Sequence, residues 1–306
     1  MLSSAAAVSQ RVLILFIMMT AGYVCGKIGA ITNRGTRQMN FILFYVVTPA
    51  LLIASLQNMI GKIALTNLLI AGGISILCMM TGILISMLCF RKSPPDKRKV
   101  LRFACAYSNC GFMGLPLVQS VLGDAGVAYA SMFMLLYNFF VWTHGYSLMS
   151  GSRKLNWTKI LTNPGLAGMV IGFPLFAFSV HLPELVMNPL NSFASMNTPL
   201  AMIVIGCYIS RVNLKEIFID AKLYQMAAIR LLIVPAVCFG VMVPFGADKA
   251  IVTTALLLSA APSGANTAMF AAQFGGDAKL ASKAVTFTTL ASILTLPVII
   301  LLTKLL

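Results

Sequence analysis

The sequence predicts an all-α membrane protein of ten transmembrane helices, built as two inverted five-helix halves. Three observations predict it: apolar stretches that recur from end to end, a one-sided placement of basic residues, and short matches between the two halves. Of the 306 residues, 59% are hydrophobic and 9% charged, where soluble domains carry about a quarter charged residues. The chain is built for lipid, so its length counts spans rather than soluble domains.

A helix needs about 20 residues to cross about 30 Å of hydrocarbon. Ten stretches meet this, near residues 10–30, 39–58, 64–90, 101–122, 125–149, 162–181, 188–210, 222–245, 249–273 and 278–304. The start, Met1 to Gln10, has no basic segment before the first apolar run and no A-x-A-like cleavage site, so the first span is expected to be retained. The connections after spans 1, 3, 5, 7 and 9 hold Lys27, Arg34, Arg37; Arg91, Lys92, Lys97, Arg98, Lys99, Arg102; Arg153, Lys154, Lys159; Arg211, Lys215, Lys222; and Lys279, Lys283. These are 17 of the 22 lysines and arginines, against 4 on the opposite side (Arg11, Lys62, Lys249, Lys304), with Arg230 inside a span. Cytoplasmic connections concentrate lysine and arginine, so both termini are expected outside the cytoplasm, in an inner membrane.

The net charge of +15 is carried by short clusters between apolar spans, with no aromatic-basic stripe. Membrane lipid, and no nucleic acid, is the expected surrounding partner. The seven cysteines form no C-x-x-C pair and read as free, buried thiols. No clustered ligand set suggests a metal or cofactor.

Five crossings are an odd number, so two tandem five-span halves must enter the membrane in opposite directions. Residues 1–150 and 151–306 are the expected halves. Thr48-Pro49 in span 2 recurs as Thr198-Pro199 in span 7, and Gly123-Asp124-Ala125 recurs as Gly276-Asp277-Ala278. The offsets, 150 and 153 residues, are near half the chain.

Spans 4 and 9 are expected to be broken. Span 4 runs Tyr107-Ser108-Asn109-Cys110-Gly111-Phe112-Met113-Gly114-Leu115-Pro116, and span 9 runs Ala261-Pro262-Ser263-Gly264-Ala265-Asn266-Thr267. Proline removes a helix donor and glycine loosens the backbone, so both should unwind at mid-span. Such backbone is tolerated only where it is buried in protein or lines a cavity. Converging half-helix N-termini carry partial positive charge that suits an anion. The candidate substrate-binding residues are Asn109, Cys110, Gly111, Ser263, Gly264, Asn266 and Thr267. Gly114, Pro116 and Pro262 mark the crossing.

The seven acidic residues, Asp96, Asp124, Glu184, Glu216, Asp220, Asp248 and Asp277, all fall in connections or at span ends. A membrane centre without carboxylates favours an anionic or neutral polar substrate and disfavours a cation exchanger. His144 in span 5 reads either as a proton relay or as a hydrogen-bonded helix-end histidine. Tyr137 and Asn138, deeper in the same span, read either as substrate contacts or as packing between helices. Arg230 is expected to snorkel to the cytoplasmic surface, and Lys283 to anchor a helix end.

The string Asn109-x-Gly111-Phe112-Met113-Gly114-Leu115-Pro116, the break Pro262-Ser263-Gly264 and the ten-span plan resemble the auxin efflux carrier family, bacterial permeases and plant PIN-type auxin carriers alike. The resemblance covers essentially the whole chain. It implies a fold similar to the bile acid:sodium symporters and sodium/proton antiporters. Spans 1, 2, 6 and 7 would form a scaffold, the basis of a homodimer, and spans 3–5 and 8–10 a moving transport domain. Asn109 would contact substrate, with Pro116 at the crossing and Tyr137 and Asn138 beside it. Thr267 stands where the plant carriers have a second proline.

The expected activity is secondary transport of a small organic anion, such as malate, malonate or an auxin-like acid, by alternating access. A channel, or a sensory membrane protein without active transport, is the alternative. An intramembrane enzyme is not expected, since no paired carboxylates, metal cluster or Ser/His/Asp set lies at membrane depth.

Overall fold

A computed structural model describes residues 2–152 and 164–303. Among the described residues the regular elements are all helices, with no strand beyond one isolated two-residue bridge. Arg153, Lys154, Lys159 and Lys304, which carry part of the charge asymmetry, lie outside the described residues.

The helices are α1 (Leu2–Lys27), α2 (Asn33–Ile42), α3 (Thr48–Asn58), α4 (Leu65–Leu88), α5 (Pro95–Ala106), α6 (Leu115–Phe140), α7 (Tyr146–Ser150), α8 (Pro164–Ala177), α9 (Glu184–Ser195), α10 (Asn197–Ile209), α11 (Leu214–Ile217), α12 (Ala221–Ala228), α13 (Val234–Met242), α14 (Lys249–Ala260), α15 (Asn266–Gln273) and α16 (Ala278–Leu302). Several fuse through single π-helical turns: Leu43–Val47 joins α2 to α3, Cys110–Gly114 leads into α6, Val141–Gly145 joins α6 to α7, and Ile229–Ile233 joins α12 to α13. In three of the four, a proline follows within two residues of the turn (Pro49, Pro116, Pro235). A proline ring clashes with the carbonyl four residues back and donates no hydrogen bond, so the preceding turn widens. At the first such turn the Thr48 hydroxyl compensates by donating to the Leu43 carbonyl at 2.8 Å.

Among the described residues, six helical runs are long and apolar enough to cross a membrane: Asn33–Asn58, Leu65–Leu88, Cys110–Ser150, Glu184–Ile209, Ala221–Phe245 and Ala278–Leu301. Cys110–Ser150 has 41 residues, about twice what one crossing needs. It turns at Gly123, whose φ of 62° only glycine adopts at ease. Three shorter apolar helices, Leu13–Lys27, Ala167–Ala177 and Lys249–Ala260, complete the set. Lys249–Ala260 is short because its span is interrupted. Large apolar side chains on the outer faces stand free, including Leu88, Val170 and Leu294, a surface that lipid rather than water accommodates.

Two helix pairs pack at backbone distance. α1 lies against α10, where a β-carbon on Gly206 would sit 2.0 Å from the Met19 carbonyl oxygen and one on Gly22 would sit 2.2 Å from that of Ile203. α3 lies against α8, where a β-carbon on Gly168 would meet Pro49 Cα at 2.8 Å. Both pairs use the Gly-x-x-x-Gly spacing, at Gly22 and Gly26 and at Gly168 and Gly172. Without a hydrophobic force between helices in lipid, such close contact supplies the packing energy. Gln57 at the end of α3 reaches the segment after α8, donating to the Val180 carbonyl at 3.0 Å and accepting from the Leu182 amide at 2.9 Å.

The carboxylates work at helix ends. Asp220, Asp248 and Asp277 accept from the amides of Lys222, Ala250 and Leu280 at 3.0, 2.7 and 2.8 Å, each capping a helix N-terminus. Asp124 accepts from Asn58 Nδ2 at 3.0 Å. Glu216 joins Lys283 at 2.8 Å and Lys279 at 2.9 Å, so Lys283 is tied at the start of α16.

Candidate functional site

The site is built where two chain interruptions meet. α5 ends at Ala106 and helix resumes at Cys110; α14 ends at Ala260 and α15 starts at Asn266. The extended segments between run antiparallel, with Ser108 opposite Ser263. The Asn109 amide donates to the Pro262 carbonyl at 2.6 Å and the Gly264 amide to the Tyr107 carbonyl at 2.9 Å. Each break thereby satisfies backbone groups of the other, which in hydrocarbon would each cost several kcal/mol if left bare. Pro262 has no amide to satisfy.

Side chains hold the crossing in place. Ser263 donates through its hydroxyl to the Ala104 carbonyl at 2.9 Å and through its amide to Thr288 Oγ1 at 3.1 Å. The Asn109 side chain accepts from the Phe112 amide at 3.4 Å, capping the resumed helix. A β-carbon on Gly264 would lie 3.0 Å from both the Ser108 carbonyl and the Tyr137 hydroxyl, and one on Gly114 would lie 2.7 Å from Leu258. Glycine at these two points lets the breaks cross and lets the resumed helix pass α14. Pro116 is buried on the first turn of α6, just past the widened turn. The Tyr107 hydroxyl donates to the Phe140 carbonyl at 2.9 Å and lies 2.8 Å from His144 Nδ1. Both bonds form together only when Nδ1 carries the imidazole proton.

Arg230 does not snorkel. It is 1% exposed. Its Nη1 donates to the Cys105 carbonyl at 3.0 Å, its Nε to the Ala261 carbonyl at 3.1 Å, and its Nη2 to the Ser259 carbonyl. The unwound breaks leave carbonyls without helical partners beside α12–α13, and these draw the guanidinium inward.

The opposite, N-terminal ends of the half-helices open into a cavity of about 470 Å³. Asn109, Phe112, Ala265, Asn266 and Met269 form one wall, extended by Thr286 and Thr289 of α16. Asn33, Asn40 and Phe44, with Ile205, Tyr208 and Arg211, form the other. Arg211 is held in that wall by Thr36 Oγ1 at 2.8 Å and the Ile31 carbonyl at 3.3 Å. Among the described residues no carboxylate lines it. A pocket of about 30 Å³ shares Asn109, Phe112, Ala265 and Asn266 and adds Gly111, Tyr137, Asn138 and Gly264. A third cavity, of about 400 Å³, contains Asp248 and Lys249 but none of the break residues.

Of the expected contact residues, Asn109, Gly111, Tyr137, Asn138, Gly264 and Asn266 line one or both of the first two cavities. Cys110, Ser263 and Thr267 line neither and are fully buried. Cys110 and Thr267 sit on helical turns, where successive residues point about 100° apart, so as neighbours of wall residues they face protein; Ser263, in the extended segment, turns its hydroxyl to the Ala104 carbonyl. Sequence reasoning did not single out Asn33, Asn40, Thr286 and Thr289, and counted Arg211 only as a topology charge. The polar run Thr286, Thr288, Thr289 in an otherwise apolar span was the available signal.

The profile of the family described as membrane transport protein matches residues 7–156 and 152–300. The chain is similar to an uncharacterized transporter of Methanothermobacter thermautotrophicus, 24% identical over 94% of this chain and 96% of that one. It is similar to an uncharacterized transporter of Methanocaldococcus jannaschii, 23% identical over 92% and 94% of the two chains. A Rhizobium meliloti protein named "Putative malonate transporter" is 22% identical over 95% of this chain and 94% of its own. The chain belongs to the membrane transport protein family, that of the auxin efflux carriers, and is a multi-pass membrane transporter.

Proposed function

We propose that the protein is a secondary carrier that moves a small organic anion across the inner membrane by alternating access. The observation that carries this reading is the 470 Å³ cavity, onto which the N-termini of two half-helices open and whose wall holds Arg211 and no carboxylate. Aligned peptide dipoles at those N-termini favour negative charge. The malonate name of the Rhizobium meliloti relative points to a dicarboxylate of similar size. Asn109, Asn266, Tyr137 and Asn138 are the proposed polar contacts, with Gly111 and Gly264 offering backbone. Cys110, Ser263 and Thr267 support the breaks from behind.

In this reading the chain makes ten crossings as two inverted halves, 1–150 and 151–306. Both halves carry a Gly-x-x-x-Gly helix (α1 and α8) packed on a helix of the other half (α10 and α3), and each has one broken helix. Spans 1, 2, 6 and 7, to which those four helices belong, form the scaffold, through which the chain dimerises, and spans 3–5 and 8–10 the transport domain. The cavity wall drawn from α2 and α10 on one side and the breaks and α16 on the other supports a substrate held between the two bodies. Asn33 and Arg211 border the basic connections, so the cavity faces the cytoplasm and both termini lie outside.

The test is uptake by proteoliposomes. Saturable malonate or malate uptake with counterflow, and thermal stabilisation by those carboxylates, are the expected results. Conductance far above carrier turnover, or stabilisation by cations or sugars but by no carboxylate, refutes the proposal.

A further inference from the structure

Half-helices that meet at mid-membrane present two kinds of ends. Here the N-terminal ends face the cavity and the C-terminal ends face Arg230. Cys105 lies in the last turn of α5, Ser259 in the last turn of α14, and Ala261 is the first residue past α14; all three carbonyls lost their helical donors when the chain unwound. Carbonyls gathered at half-helix C-termini are the ligand set that takes up a small soluble cation in broken-helix carriers. In this protein a guanidinium, fully buried, fills it from α12–α13. Among the described residues none of its hydrogen bonds goes to a carboxylate; all three go to backbone carbonyls, whose dipoles face its charge.

We propose that Arg230 is a tethered cation occupying a cation site built from the Cys105, Ser259 and Ala261 carbonyls, and that it positions both breaks without a soluble ion. The site is one for a small monovalent cation, filled by the protein's own side chain. Arg230 touches three backbone positions, one on the first break's helix and two on the second's, so it also sets their relative placement. Its positive charge adds to that of the N-terminal ends. At about 10 Å and an effective dielectric near 20, a unit charge changes anion affinity on the order of tenfold. That second effect rests on the organic-anion reading above; the cation site does not.

The experiment uses the full-length protein in detergent and in proteoliposomes, comparing Arg230→Ala, Arg230→Gln and Arg230→Lys. The first readout needs no substrate. Millimolar methylguanidinium is expected to raise the Tm of Arg230→Ala and leave the wild type unchanged, because only the variant has the carbonyl site vacant. The second readout is carboxylate uptake, expected to fall by about tenfold or more in Arg230→Ala and Arg230→Gln, to recover with methylguanidinium in Arg230→Ala, and to be better retained in Arg230→Lys. Arg230→Ala that folds but gains nothing from methylguanidinium overturns the proposal. Equal behaviour of Arg230→Lys and Arg230→Gln also overturns it, and decides the matter where the alanine variant does not fold. A wild type that transports no carboxylate, with the Tm effect intact, refutes the anion reading alone.

Discussion

Asn109→Asp tests the charge of the substrate directly. The replacement keeps the shape of the side chain and the oxygen that caps the helix at the Phe112 amide, and aspartate is as good a cap as asparagine. A carboxylate at a helix N-terminus is itself stabilising, so the fold should hold. What changes is one unit of negative charge on a cavity wall that has none. With a substrate carboxylate about 5 to 8 Å away and an effective dielectric near 20, the repulsion is about 2 to 3 kcal/mol. Affinity should therefore fall about 30- to 150-fold. Asn109→Ala, which removes one hydrogen-bonding group, should cost only about 0.5 to 1.5 kcal/mol. Calorimetric binding of malonate to the purified variants separates the two. The aspartate penalty should also grow with rising pH through the titration of the introduced carboxyl, since only its ionised form repels. Equal losses in both variants, or tighter malonate binding in Asn109→Asp, would refute the electrostatic argument.

Further predictions concern packing and pH. Gly206→Ala brings a β-carbon against backbone atoms of Met19 and Tyr23, so thermal melts should show a loss of about 1 to 3 kcal/mol; Gly73→Ala, which meets nothing within 4 Å, should be near neutral, and equal melts would sink the close-packing account. Hydrogen bonds from Lys283 and then Lys279, with their charges, hold the Glu216 carboxyl at about 2, below its ordinary 4.5. Its contribution is present above pH 4.5 and is lost as pH falls towards 2. Glu216→Gln should flatten the Tm-against-pH curve in that window, and salt should weaken the wild-type effect because the group is exposed.

The breaks were legible because their residues state backbone chemistry outright: Pro262 lacks a donor, and Gly114 and Gly264 have no β-carbon where neighbours come close. The place of Arg230 was not. A lone arginine two turns into a span looks like a snorkelling one, and its partners are carbonyls of Cys105, Ser259 and Ala261, backbone groups that no side-chain pattern encodes. Cys110 and Thr267 shared a string with wall residues, yet helical rotation turned them into protein. Gly22, Gly26, Gly168 and Gly172 stood in plain view, but their partners lie more than 100 residues away, and spacing alone does not name a partner.

The antiparallel pairing of the two breaks also sets an order of events during synthesis. Asn109 leaves the ribosome 153 residues before Pro262, whose carbonyl it needs. At about 5 to 20 residues per second, that is about 8 to 30 seconds. Through that interval the first interrupted helix must keep its open amide and carbonyl groups wet or hold them against the insertion machinery, since lipid cannot satisfy them. The first half of the chain is thus committed to waiting, and the membrane-embedded fold closes only when the second break arrives.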